Sequence, residues 1–143
     1  GLVPKLQATA GPGQSHDLIA AQVKEWMSQE IAPSEICIIV PGAEARAVAE
    51  GAGARGGFAV APWRPLVRRE AVVRYCEVDD FRGLESPFLI LCVPAFGDGG
   101  QELARMFYLA MTRANFALTM VAPEEVMERL RTIVESSLKA SGG

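Results

Sequence analysis

The chain has 143 residues, half of them apolar, which is one ordinary domain, long enough to bury ~68–70% of the surface that its unfolded form exposes. A net charge of -3 excludes an overall positive field that draws a protein to nucleic acid or an anionic membrane, so any DNA contact has to be local. Cys37, Cys76 and Cys92 lie far apart with no CxxC spacing, and the longest apolar stretch, Phe88 to Val93, falls far short of the ~20 residues that span a bilayer; the reading is a reduced, cytoplasmic, monomeric domain without zinc or a membrane anchor.

In chain order, Val3 to Thr9 reads as a short strand and Gly11-Pro12-Gly13 as a loop. Ser15 is placed to cap a helix whose apolar face is Leu18, Ile19, Val23, Trp26 and Met27, with Gln22, Lys24, Glu25 and Gln29 left for water. Ile36-Cys37-Ile38-Ile39-Val40 is a branched apolar run suited to a parallel strand covered on both faces. Glu44 to Glu50 predicts a short helix stopped by Gly51 and Gly53, and Gly53 to Pro65 a loop with one short strand at Phe58 to Val60.

Ala71 to Val78 alternates as a strand, and Phe88 to Val93 is a second fully buried one. Gly97 to Gly100 is a turn, with Asp98 and Gln101 in the outline of a capping box. The next helix carries Leu103, Met106, Phe107, Ala110 and Ala114 on its apolar face. Phe116 to Val121 predicts a strand, and Pro123 at a first helical position opens a last helix with Val126, Leu130, Ile133, Val134 and Ser137 toward the core. Strands alternating with helices give an α/β domain over residues 1–138 with a mostly parallel sheet, followed by a flexible tail at 139–143. The opening at Gly1 and the Ala-Ser-Gly-Gly end read as the boundaries of a piece of a larger protein.

Two segments carry chemistry. Phe81-Arg82-Gly83-Leu84-Glu85, between two strands, resembles the K-G-L-E core of helicase motif V. Arg105-Met106-Phe107-Tyr108-Leu109-Ala110-Met111-Thr112-Arg113-Ala114 is similar to motif VI, R-R-L-x-Y-V-A-x-T-R-A, nearly column by column. On these strings, in this order and spacing, the chain resembles the second RecA-like motor lobe of a UvrD/Rep-type superfamily 1 DNA helicase, over nearly its whole length. The resemblance implies a RecA-like, P-loop-NTPase-like three-layer fold. Since no G-x-x-x-x-G-K-[ST] occurs, the phosphate loop is absent, and ATP and Mg2+ are expected to be held mainly by the first lobe of the same parent chain, with the Mg2+ ligands there.

The resemblance further implies roles for single residues. Arg113 is an arginine finger, because an always-charged planar guanidinium from the opposite lobe stabilises charge growing on a γ-phosphate. Glu85 matches the glutamate that meets the nucleotide sugar, and Gly83 allows close backbone approach there. The plainer alternatives are a helix-end cation for Arg113 and an ion pair with Arg82 for Glu85. Tyr108 is read as core packing, the alternative being a place beside the nucleotide cleft, and His16 as a surface or capping residue in preference to a catalytic base.

Two departures from the family pattern stand out. Where relatives carry a threonine and a histidine near DNA, this chain has Glu77 and Asp79, with Asp80 beside them, and three carboxylates repel a phosphate backbone. Relatives also carry a large insertion where this chain has only a short loop near 53–70. A basic stretch there, Arg55, Arg64, Arg68, Arg69 and Arg74 around Trp63, is a candidate single-strand contact together with Arg82. The leading expectation is a motor lobe that couples hydrolysis to movement on DNA in the parent and is inactive alone. The rival is a degenerate lobe that binds nucleic acid or protein without serving an ATPase.

Overall fold

The structure is a computed structural model that describes residues 3–10, 12–64, 71–81, 86–93 and 100–142. Six strands, β1 (Lys5–Thr9), β2 (Ile36–Val40), β3 (Ala59–Pro62), β4 (Val72–Glu77), β5 (Ser86–Cys92) and β6 (Ala114–Pro123), form one sheet in the order β1-β6-β5-β2-β4-β3. Every neighbouring pair is parallel. Four helices, α1 (Pro12–Ser28), α2 (Ala45–Gly56), α3 (Gly100–Arg113) and α4 (Glu124–Gly142), supply the outer layers.

Alternation along the central strands splits the core into two halves. Ile36, Ile38, Val40, Ile90 and Cys92 face one layer with Ile19, Val23 and Trp26 of α1 and Val48, Ala49 and Ala52 of α2. Cys37, Ile39, Leu89, Leu91 and Val93 face the other, with Leu103, Met106, Phe107 and Ala110 of α3 and Val126 and Leu130 of α4. This is a three-layer α/β fold, as the alternation of strand and helix signals predicts. Both apolar pentads of the centre are buried because helices cover the sheet on both sides.

Several local expectations fail, each for a packing reason. The helix α2 runs through Gly51 and Gly53 to Gly56. A Cβ at Gly51 would lie 2.5 Å from the His16 ring, one at Gly53 2.6 Å from the Phe58 carbonyl oxygen, and one at Gly56 2.5 Å from the Phe58 ring. These glycines therefore let α2 press against α1 and the start of β3, and the true stop is Gly57 at φ 73°, whose N–H donates to the Gly53 carbonyl at 2.8 Å. His16, expected at the surface or as a cap, is half-buried in that contact.

Ser15 lies inside α1, buried, and does not cap it, since the helix already begins at Pro12. Gln22, assigned to water, is 3% exposed. It accepts from Thr119 Oγ1 at 3.0 Å and donates to Glu25 at 3.0 Å, and Glu25 pairs with Lys5 at 3.6 Å, so a buried amide has its partners. Pro123 closes β6 and does not open α4. The last helix, α4, runs through Gly142. The capping box at Asp98 lies outside the described residues. No helix among the described residues is long and apolar enough to cross a membrane.

Candidate functional site

The α3 helix forms because its apolar positions recur at helical spacing, and Leu103, Met106, Phe107 and Ala110 are all buried on the sheet. It delivers Arg113 as its last residue, and β6 begins at Ala114 with no loop between. Ala114 is in register with Ser86, the first residue of β5. Ser86 is anchored there, its hydroxyl donating to the Glu35 carbonyl at 2.9 Å. Arg113, the last residue of α3, therefore leads into β6 at the amino edge of the sheet, beside the first residue of β5. Gly83, Glu85 and Arg82 themselves lie outside the described residues.

Arg113 is half-buried, and its Nε is buried without a hydrogen-bond partner. Among the described residues it forms no ion pair. A buried guanidinium nitrogen left unpaired is costly, so this edge holds a donor without an acceptor among the described residues. The other conspicuous arginine of the same string is engaged. Arg105 pairs with Glu102 and reaches Asp79 Oδ1 at 3.3 Å, which lowers the Glu102 carboxyl below its usual range and raises the guanidinium. Thr112 donates to the Leu109 carbonyl of its own helix at 2.9 Å.

The β5–β6 ladder carries an irregularity at this edge: Ser86 to Phe88 spans two steps of β5 while Ala114 to Ala117 spans three of β6. One extra residue in β6 makes a bulge, which re-aims side chains next to it. Phe116 consequently stacks on Phe88 with ring centroids 5.9 Å apart, and Phe88 meets Trp26 at 5.1 Å, while Phe116 stays 71% exposed. Nothing in an apolar strand sequence signals this, because the bulge shifts the alternation by one. Tyr108, expected in the core, is instead 49% exposed and tilts against Phe107 at 5.2 Å. The helix turns its buried face through 103, 106, 107 and 110, which leaves 108 on the outer side.

At the opposite, carboxyl edge, Glu77 ends β4 and the 3-10 turn Val78–Phe81 carries Asp79 and Asp80. Only Asp79 of the three has a cation among the described residues, Arg105. Part of the basic stretch falls within the described residues. Arg55 is tied to Asp17 of α1 at 2.6 Å, Arg64 is exposed with its carbonyl accepting from Arg74 at 3.4 Å, and Arg68 and Arg69 lie outside the described residues. No group of three or more His, Cys, Asp or Glu side chains that could hold a metal occurs among the described residues.

No family model matches the chain, and no curated protein does. Among solved structures, the C-terminal domain of a possible DNA helicase from Lactobacillus plantarum WCFS1 superposes with a TM-score of 0.70 at 23% identity, over 86% of this chain and 75% of that one. The two chains share a fold: the parallel sheet between two helical layers described above is similar to that of a helicase C-terminal domain.

Proposed function

We propose that this chain is the C-terminal motor lobe of an ATP-dependent DNA helicase of the UvrD/Rep-like superfamily 1 type, completing an ATP site at the boundary with a first RecA-like lobe. The observation that carries this reading is Arg113, held at the end of α3 with a buried Nε that has no partner among the described residues, next to Ala114, which is in register with Ser86. The motif VI string around it and the fold shared with a helicase C-terminal domain support it.

In this site the lobe acts through charge and position. Arg113 presents a planar donor fork to the γ-phosphate, where negative charge grows during transfer, and Glu85 accepts a hydrogen bond from the nucleotide sugar. Bound ATP supplies the phosphoryl group, with Mg2+ on ligands of the first lobe. No residue of this chain provides a phosphate loop, so the lobe alone is inactive. DNA then runs over both lobes of the parent, and Arg64, Arg68, Arg69 and Arg82 are this lobe's contacts to it.

Two measurements test the proposal. The purified lobe gives no steady-state ATP turnover, whereas the parent does. In the parent, Glu85→Ala raises KM for ATP by about fivefold, the loss of roughly one hydrogen bond, with kcat little changed. Turnover by the isolated lobe, or an unaltered KM, contradicts it. One observation favours a second reading, a non-catalytic binding module: Glu77 stands at the carboxyl edge without a cation among the described residues, at the position where the resembled motif carries a threonine.

A further inference from the structure

Arg113 is the last residue of α3, and β6 starts at the next residue with no loop to absorb a displacement. The place of its guanidinium is therefore set by whatever holds the first residue of β6. That residue, Ala114, is in register with Ser86, but the register shifts between Ser86 and Phe88, and the even run of partners starts only at Phe88 and Ala117. The Ser86–Ala114 pair thus stands beyond a bulge, which interrupts the ladder that would otherwise fix it.

Ser86 supplies a different constraint. Its side chain is buried, and its hydroxyl oxygen lies 2.9 Å from the Glu35 carbonyl oxygen and 3.2 Å from that of Phe88. A hydroxyl has one proton to give, so the shorter bond to Glu35 is the main one and Phe88 is a weaker second acceptor. Glu35 ends the 3-10 turn Pro33–Glu35 that leads directly into β2, whose first residue, Ile36, is in register with Phe88. The bond ties the head of β5 to the entry of a strand that is buried throughout, across 51 residues of sequence. A serine that only satisfied its own turn would bond within a few residues of itself; here the stronger partner is a distant element.

We propose that Ser86 is a positioning residue for Arg113. Its hydroxyl holds the head of β5 against the entry to β2, the head of β5 holds Ala114, and Ala114 holds the guanidinium at the amino edge. The role rests on the arginine-finger reading of Arg113, whereas the anchor itself is a property of the lobe alone.

The test has two arms. In the isolated chain, isotopically labelled, Ser86→Ala shifts the backbone amide resonances of Arg113 and Ala114 and leaves those of Met120 and Val121, in the regular part of the ladder, in place. In the parent, Ser86→Ala lowers kcat about tenfold at an unchanged KM for ATP, since a small displacement of a catalytic group is costly. Ser86→Thr, which keeps the hydroxyl, restores most of the loss. The effect disappears once Arg113 is alanine: the Ser86→Ala/Arg113→Ala double variant turns over no more slowly than Arg113→Ala. A serine that served stability alone would slow both backgrounds equally, and the melting temperature of each variant establishes that it folds. Unmoved amides at 113 and 114, a folded Ser86→Ala parent with normal kcat, or losses that multiply in the double variant overturn the proposal. Near-normal turnover of Arg113→Ala overturns the motor-lobe reading and this role with it, while the amide shifts still decide whether the anchor exists.

Discussion

Cys92 shows how far single residues here depend on burial. Burial in the α1 and α2 half of the core pushes its thiol from an ordinary value near 9 up to about 12. Cys37 is likewise raised, first by a hydrogen bond with the Cys76 thiol and then by burial. Because the Cys92 pKa is higher folded than unfolded, its contribution to stability is complete below pH 9 and is lost as pH climbs toward 12, and Cys37 acts in the same direction. Urea unfolding at rising pH is expected to show stability declining across that window, and a decline that is as steep in a Cys92→Ala variant would remove Cys92 as a cause. Native-state alkylation should modify half-buried Cys76 first, with Cys37 and Cys92 protected until unfolding. Equal labelling rates at all three would contradict their burial. Cys37 and Cys76 do not form a disulfide here: Cys76 pairs with Ile39, two residues along β2 from Cys37, which sets their Cα atoms about 8 Å apart, beyond the bridging range.

Among the elements, α2 separates what sequence reasoning reads from what it misses. Glycine in a helix costs ~1 kcal/mol relative to alanine, so Gly51 and Gly53 read locally as a stop. The approach of His16 and Phe58 reverses that reading, because only a residue without Cβ fits there. Gly53→Ala should lower stability by about 1–3 kcal/mol despite its better helix propensity, since the added carbon meets backbone that cannot swing away. A stability gain in chemical denaturation would show that the Phe58 carbonyl relaxes freely. By contrast, β2, β5 and α3 were legible because both their neighbours and their own periodicity demand burial: every residue of β2 is buried. Phe116 and Gln22 were not, since a strand bulge and a side-chain relay between α1 and β6 arise only once the elements meet. The two arginines of the string that resembles motif VI part company in space, Arg105 tied to Glu102 and Asp79 and Arg113 left with a buried nitrogen unpaired among the described residues.

For the molecule as a whole, the parallel sheet separates two edges of different chemistry. The amino ends of β5 and β6 gather Ser86 and Arg113, while the carboxyl ends of β2, β3 and β4 gather carboxylates and aromatics. The motor-lobe account rests on the first edge and is tested most directly in the parent by DNA-stimulated ATP turnover of Arg113→Ala and Arg113→Lys, with melting temperature measured alongside. The account predicts that both variants melt near the parent, that alanine lowers turnover by about 10³-fold, and that lysine fails to restore it because a point charge lacks the planar fork. Near-normal turnover in the alanine variant, with a loss of only ~0.3–1 kcal/mol of stability that lysine recovers, would make Arg113 a helix-end cation and contradict the account.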